Sequence, residues 1–458
     1  MKIIIIGTGI GGLAAYHALS KHLPSADLAI YDGYPSPLKS NKHIGGGISL
    51  GPNGQRAMKD ITPEALSFIR DRAFEYSAVI FQSDSGKVLG QMPFGSKERY
   101  QFGQLMTTRS TVHEGLLLER GTNEKVHWNT KVARTWETDD AAYVQFEDGT
   151  IEKCDLLIGA DGARSVTRNA IFGEEYAPHY DGLIGFGGFI PLTDLTPFTR
   201  EAIQGVLPSL TVGRIGGFGY AFFTPLSSPE PKLFWWAHAE MDTPLPRDTP
   251  RNEMLPLLMQ RYGKWRSPHD DPSDPENTIF RQILTIACEG KDDNNWFMLP
   301  RYFTPLLPHW TSLHGLSATG SETGAPTTKA GGRIVLLGDA AHAMPPEGAQ
   351  GVSCAVEDSL TLALLLKHYS KSETEAEAIA KAAKSYEDIR LPRVNKILVE
   401  AKGRADQKRQ ISWMKDKIRE FGVWVISWIP ESFLHDEVFG YDVEVHVAKY
   451  LEVPQVSL

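Results

Sequence analysis

Cysteine is scarce in this chain: three residues in 458, Cys154, Cys288 and Cys354, with no CxxC pair and no metal-ligand spacing. That excludes a disulfide-stapled scaffold and gives no metal site, and it suits a cytoplasmic compartment where buried thiols stay reduced. Basic runs are missing too. The formal net charge is −9, so nucleic acid is not an expected partner. No apolar run reaches the length of a membrane span; the longest candidate, 421–429, has nine residues and holds Trp424 and Trp428. It reads as a packing helix, with membrane or partner contact as the alternative. Met1-Lys2 before an apolar run imitates a secretory signal, but cleavage would destroy the first strand. No internal repeat is evident.

Glycine, by contrast, is placed with purpose. Ile3-Ile4-Ile5-Ile6 reads as a buried parallel strand, apolar on both faces. Gly7 permits the tight turn out of it, Gly9 lets backbone N–H groups approach a pyrophosphate, and Gly12 lets the next helix pack closely. That helix, expected over 11–22, points its positive end at the phosphate. A second strand over 27–31 delivers Asp32, 20 residues after Gly12, where a carboxylate accepts hydrogen bonds from an adenosine ribose and disfavours a 2′-phosphate.

The pattern along the chain predicts an α/β protein: a Rossmann-like dinucleotide domain interleaved with an antiparallel β-sheet substrate domain, plus C-terminal helices. The dinucleotide domain is expected over 1–75, 100–175 and 296–370, the sheet over 76–99 and 176–295, and the helical region over 371–458. The segment 42–53 is glycine-rich (Gly45, Gly46, Gly47), suiting a loop where backbone meets a flat ligand. Strand-like alternation covers 78–88 and 126–149. A helix over 108–120 carries Arg109 near its start, unfavourable for the dipole unless something anionic lies close by. From 176 to 295 aromatic strands dominate, interrupted by a helix over 254–262. The run 317–332, rich in Ser, Thr and Gly, reads as a mobile surface loop. Helices follow over 352–367 and 373–389, the latter stopping before Pro392.

Two further segments complete the pattern. Residues 154–165 form a strand opening into a turn with Asp161, Gly162 and Arg164, and residues 333–346 form Arg-Ile-Val-Leu-Leu-Gly-Asp-Ala-Ala-His-Ala-Met-Pro-Pro. With the N-terminal glycines, in this order and near these spacings, the chain resembles the class A flavoprotein monooxygenases, the group of para-hydroxybenzoate and salicylate hydroxylases. The resemblance extends to Gly45-Gly46-Gly47-Ile48, Arg109, Gln350-Gly351, Glu357-Asp358, Tyr386-Glu387, Arg390 and Pro392-Arg393.

The resemblance implies FAD, with NADH or NADPH as electron donor and O₂ adding at flavin C4a to give a hydroperoxide. That species hydroxylates, or epoxidises, a small aromatic, heteroaromatic or alkene substrate. It also implies roles for residues. Asp339 would meet the ribityl chain or the pyrophosphate, and Arg109 the phosphate or ribityl region. Gly46, Gly47 and Val132 would lie against the cofactor, and Asp161 and Arg164 would link FAD binding to NAD(P)H binding. Pro345 and Pro346 stiffen the wall beside the isoalloxazine, and the helix starting at Gly351-Val352 points its amides at the flavin N1–C2=O edge. His342 orders the turn and does no chemistry.

On the substrate side the chain departs from its relatives. Gly187 stands where many place an arginine, and Thr224 where they place a tyrosine. The expectation is an uncharged substrate, with Tyr220 a candidate catalytic hydroxyl and His43, His179 and His238 candidate bases. Arg214 is the alternative cation. Phe222, Phe223, Trp235 and Trp236 would line an aromatic cavity. Residues 422–430 loosely resemble a halogenase signature, but the tryptophan spacing is wrong and the segment lies after the Gly-Asp motif. A flavin dehydrogenase or oxidase, or a non-catalytic FAD-binding protein, remains the alternative reading. The protein is expected as a monomer or homodimer.

Overall fold

Ile3, Ile4 and Ile5 are wholly buried because β1 (Lys2–Ile6) is the middle strand of a parallel sheet. The strand order is β18 (Ile334–Leu336), β12 (Leu156–Gly159), β1, β2 (Asp27–Tyr31) and β8 (Val126–His127). The isoleucine run therefore has neighbours on both edges, Ile3 pairing with Leu156 and with Leu28. In this computed structural model the described residues are all but 41–45, 247–248, 291–295, 407 and 453–458. His43 and Gly45 lie outside them.

Two small antiparallel sheets flank this layer, β11 (Ile151–Cys154), β10 (Ala142–Phe146), β9 (Val132–Glu137) and β3 (Gly47–Leu50), β7 (Gln104–Thr108), β4 (Phe74–Tyr76). A seven-stranded sheet forms the second half. Its order is β17 (Trp296–Phe303), β13 (His179–Pro191), β16 (Lys232–Glu240), β15 (Gly216–Phe222), β14 (Ser209–Gly213), β5 (Ala78–Ser83), β6 (Val88–Pro93). It is antiparallel except where β14 runs parallel to β5.

One face of the large sheet packs on the helices Arg251–Tyr262 and Ile279–Glu289, with Phe186, Phe218, Tyr220, Phe222 and Trp235 in that core. The second helix is an addition to the expected elements. Its pattern, Ile279, Phe280, Ile283, Leu284, Ala287 and Cys288 all buried, is helical in period, and Thr278 caps it through the Arg281 amide. β17 belongs to this sheet, so the boundary expected at 295/296 moves past Phe303: Met298 joins the helix-side core while Phe297 turns to the opposite face.

Two other expectations change. The last long helix runs Glu375–Asp406, through Pro392. Proline costs an intrahelical bond, but Arg390 and Arg393 beside it are held by ion pairs to Glu357 at 2.8 and 3.0 Å, so tertiary contacts hold the helix on course. The run 317–332 is anchored: Ser317 Oγ donates to the Asn169 and Ala170 carbonyls at 2.9 Å, and Leu316 bridges Thr327. No helix among the described residues is long and apolar enough to cross a membrane. All three cysteines are buried and free, with burial pushing each thiol up to about 12.

Candidate cofactor and substrate site

The turn after β1 is shaped by glycine in two places. Gly7 has φ +97°, and a Cβ on Gly12 would stand 2.0 Å from the Gly7 carbonyl oxygen. The helix Ile10–His22 can therefore start directly at the strand end, with Gly9 before it and no side chain capping it. Asp32, half-buried at the end of β2, holds this turn: its Oδ2 accepts from the Thr8 amide at 2.8 Å and the Thr8 hydroxyl at 2.6 Å, and its Oδ1 accepts from the Tyr34 amide at 2.9 Å. A carboxylate offers about four acceptor positions, so one is left for a ribose. Val132 begins β9 just beyond Thr130, whose amide donates to the Asp32 carbonyl at 2.8 Å.

Arg109 comes to the same turn from β7. Thr108 caps the helix Arg109–Leu118, and the Arg109 amide donates to the Gly46 carbonyl at 3.1 Å. Its Nη2 lies 3.9 Å from where a Gly9 side chain would begin. Among the described residues no carboxylate pairs with this guanidinium. The cation at a helix start thus stands beside the glycine turn.

The late motif arrives from β18. Gly338 turns the chain at φ +58° and Asp339 is exposed, without a hydrogen-bond partner among the described residues. His342 does order the turn: its Nε2 lies 2.5 Å from Asp358, which also accepts from the Gly338 amide. Burial pushes the Asp358 and Glu357 carboxyls up. His342 and Arg390 outweigh it for Asp358, Arg393 and Arg390 for Glu357, and both end below the ordinary range. In front of this ion cluster the helix Gly351–Tyr369 begins with Gly351 and Val352 half-buried and no side-chain cap, after the buried Pro345. Asn53 Oδ1 and Gln350 Nε2 are buried there without partners among the described residues. A free cation, a free carboxylate, an uncapped helix start and orphaned amide atoms fit a long polar cofactor such as FAD.

The central motif is placed differently. Asp161 accepts from Ser165 Oγ at 2.5 Å and from the Thr167 amide at 3.0 Å, organising the start of the helix Val166–Phe172. Arg164 is exposed, 5.9 Å from the Tyr302 ring. Arg168, which the sequence reading passed over, is the buried link: it donates to the Ala163 carbonyl at 2.5 Å and to Ala340 at 3.2 Å, tying the central turn to the late one. The signal was a lone arginine inside an apolar helical stretch.

The second face of the large sheet looks back at Gly46 and Gly47. It carries Phe189, Phe223, Phe234, Trp236 and Phe297, with Phe223 and Phe234 rings 4.4 Å apart. Gly187 is required here: a Cβ would stand 2.3 Å from the Phe297 ring and 2.7 Å from the Trp235 carbonyl. An arginine has no room. Tyr220 needs correcting. Strand alternation puts it on the helix side, where its hydroxyl meets Ser267 at 3.1 Å; Phe222 and Trp235 share that side. Thr224 Oγ1 accepts from the Lys232 amide at 3.0 Å. Arg214 and His179 are exposed.

Of the expected histidines His238 does reach this face, following Phe234 and Trp236 along β16. Its Nε2 lies 3.1 Å from Lys408 Nζ and 3.5 Å from Glu347 Oε1, and Lys408 pairs with Glu347 at 2.8 Å. Arg301, on β17, is bound to Asp181 at 2.5 Å and lies 3.9 Å from Glu347. Burial, then Lys408, pushes the His238 imidazole down to about 3; burial also lowers Lys408. Glu347 sits at about 2, because Lys408 and His238 overcome the upward push of burial. Sequence could not assemble this group, since its members come from two strands, a turn and the end of a helix. Elsewhere His309, His314 and Glu387 bring ligand atoms within 4.8 Å of one another, but His314 and the Trp310 amide already occupy Glu387.

Comparison with known proteins points to the same cofactor. Residues 311–401 match the FAD binding domain family. The 6-methylsalicylate 1-monooxygenase of Aspergillus terreus is 26% identical over 87% of this chain and 81% of its own length. The hispidin-3-hydroxylase of Neonothopanus nambi is 25% identical over 99% and 96%. Klebsiella pneumoniae HpxO, solved with FAD and uric acid, superposes with a TM-score of 0.72 at 20% identity, covering all of this chain and 98% of that one.

Proposed function

We propose, for a chain that belongs to the class A flavoprotein monooxygenases, hydroxylation of a small uncharged aromatic or heteroaromatic ring with NADH or NADPH as electron donor. When bound, FAD carries the electrons from the nicotinamide to O₂, so that one oxygen atom enters the ring and the other leaves as water. The protein's part is to hold and to shield. Arg109 and the amides around Gly9 hold the pyrophosphate, Asp32 the ribose, and Asp339 the ribityl or pyrophosphate region. The uncapped start of Gly351–Tyr369 meets the electron-rich edge of the ring. Arg164, exposed at the same domain, is the cation available to the nicotinamide cofactor.

The observation that carries the reading is the aromatic face opposite Gly46 and Gly47, whose charged members cancel: Arg301 against Asp181, and Lys408 against Glu347. Such a wall excludes water and admits a flat neutral ring. His238, held neutral beside it by burial and Lys408, adds no charge to that wall. The three buried thiols suit a reducing, cytoplasmic setting.

The test is a panel of neutral phenols, indoles and heteroaromatics, scored for accelerated NAD(P)H oxidation and then for incorporation of one labelled oxygen from O₂. Turnover without label in any product would instead make this a dehydrogenase or oxidase.

A further inference from the structure

The helix Trp413–Ile426 is built inside out. Three of its charged residues face the body: Asp416 is buried, and Arg419 and Glu420 keep only 12% and 13% of their side chains exposed, while Lys415 and Lys417 are exposed. Its large apolar residues face away. Met414, Ile418, Phe421, Val425 and Trp428 recur at helical spacing, with Ile418 64%, Phe421 63% and Trp428 75% exposed. Trp424 joins the row, its ring 5.7 Å from Phe421 and 6.3 Å from Trp428. Phe433, 83% exposed, follows on the next helix. The expected packing helix does pack, but with the wrong side inward.

We infer that this face is where a second copy of the chain docks, forming a two-fold homodimer. Area comes first. Aromatic side chains present about 150–250 Å² each, so Trp413, Phe421, Trp424, Trp428 and Phe433, each about half or more exposed, with Met414, Ile418 and Val425, give a face on the order of 1,000 Å² per copy. Monomers rarely show patches beyond about 300–600 Å², whereas a standard interface takes about 800 Å² from each partner.

Shape and charge point the same way. Between β6 and this helix lies a groove of about 340 Å³ lined by Val88, Leu89, Gly90, Gln91, Trp424 and Trp428. A face with both a groove and protruding rings can be complementary to itself, as an isologous contact demands. A lipid surface would want a basic collar around the aromatics. Over residues 413–439 the exposed charged residues are Lys415, Lys417 and Glu437, too few bases to make such a collar.

Sedimentation of the FAD-loaded enzyme tests this. The expected species at micromolar concentration is twice the 50.8 kDa chain. Phe421→Glu with Trp428→Glu should raise the dimer dissociation constant at least 100-fold while the bound-flavin spectrum stays unchanged. Trp428→Arg alone should weaken the dimer by a smaller factor. A monomeric wild type, or a double variant that stays dimeric, overturns the inference. So does a wild type that pelleted with phosphatidylcholine vesicles as a monomer and lost that binding in the double variant, which would give the face to lipid.

Discussion

His342 Nε2 and the Asp358 carboxylate lie 2.5 Å apart, and neither side chain is reached by solvent. Asp358 also takes the Gly338 amide at 3.1 Å and Arg390 Nε at 2.8 Å. The turn presenting Asp339 is thus clamped from behind by wholly buried groups. His342→Ala should destabilise the apoprotein by about 1–3 kcal/mol, the cost of stranding part of a buried carboxylate. Asp339→Ala should leave apo stability within about 0.5 kcal/mol and still lose FAD. Chemical denaturation of both apoproteins, beside FAD titrations, separates the roles; an Asp339→Ala apoprotein that unfolds early makes Asp339 structural.

Arg109 and Asp32 should split in a similar way. Arg109 has no acidic partner among the described residues, so Arg109→Ala should weaken FAD binding by about 1.5–3 kcal/mol, a charge-assisted contact, with little change in apo stability. Asp32 holds both donors of Thr8 and the Tyr34 amide. Asp32→Ala should therefore lower FAD affinity and apo stability together. Equal losses of apo stability in the two variants would remove Arg109 from the cofactor site.

The difference between those residues also marks what a sequence can say. Gly7, Gly12, Asp32 and Gly338-Asp339 were legible because their chemistry is local: a turn, a close approach, a strand end. The face occupied by Tyr220 was not, because alternation gives two faces without saying which one meets the cofactor; helix Ile279–Glu289 decided it by covering that side. Nor could Glu347, Lys408, His238 and Arg301 be read as one group, since only the packing of the large sheet against the C-terminal helix joins them. Trp424 and Trp428 were visible as apolar, but their outward aim depends on Asp416 and Glu420 being drawn inward.

Two histidines set a pH dependence. Burial, then Lys408, holds His238 at about 3, and burial holds His17 at about 4, against 6.5 for an ordinary imidazole. Below that ordinary value the unfolded chain binds protons which the native state refuses, so stability falls as pH falls, by up to about 1.4 kcal/mol per unit for each group. The loss runs from about 6.5 down to each native value. Glu347, lowered from 4.5 to about 2, adds to it only below its ordinary value. His17→Gln and His238→Gln should each flatten the stability profile between 6.5 and about 4. Unchanged slopes in both would mean that neither imidazole is held neutral.

Arg301 decides whether an anion can bind. It is the cation nearest the aromatic face on β17, but Asp181 holds its Nη2 at 2.5 Å and its Nε at 2.7 Å. Lys408 is likewise taken by Glu347. A benzoate entering this site would find no free cation among the described residues and would carry a desolvation penalty of several kcal/mol. Salicylate should therefore bind poorly and leave NAD(P)H oxidation at its basal rate. Gly187→Arg should not rescue it, because Phe297 and the Trp235 carbonyl occupy the space. Asp181→Asn should, by releasing Arg301 from its ion pair: salicylate affinity ought to rise at least tenfold, about 1.4 kcal/mol. Flavin fluorescence titration reads both variants directly. Micromolar salicylate binding by the unaltered enzyme would show that Arg301 is free to leave Asp181, and the uncharged-substrate reading would go with it.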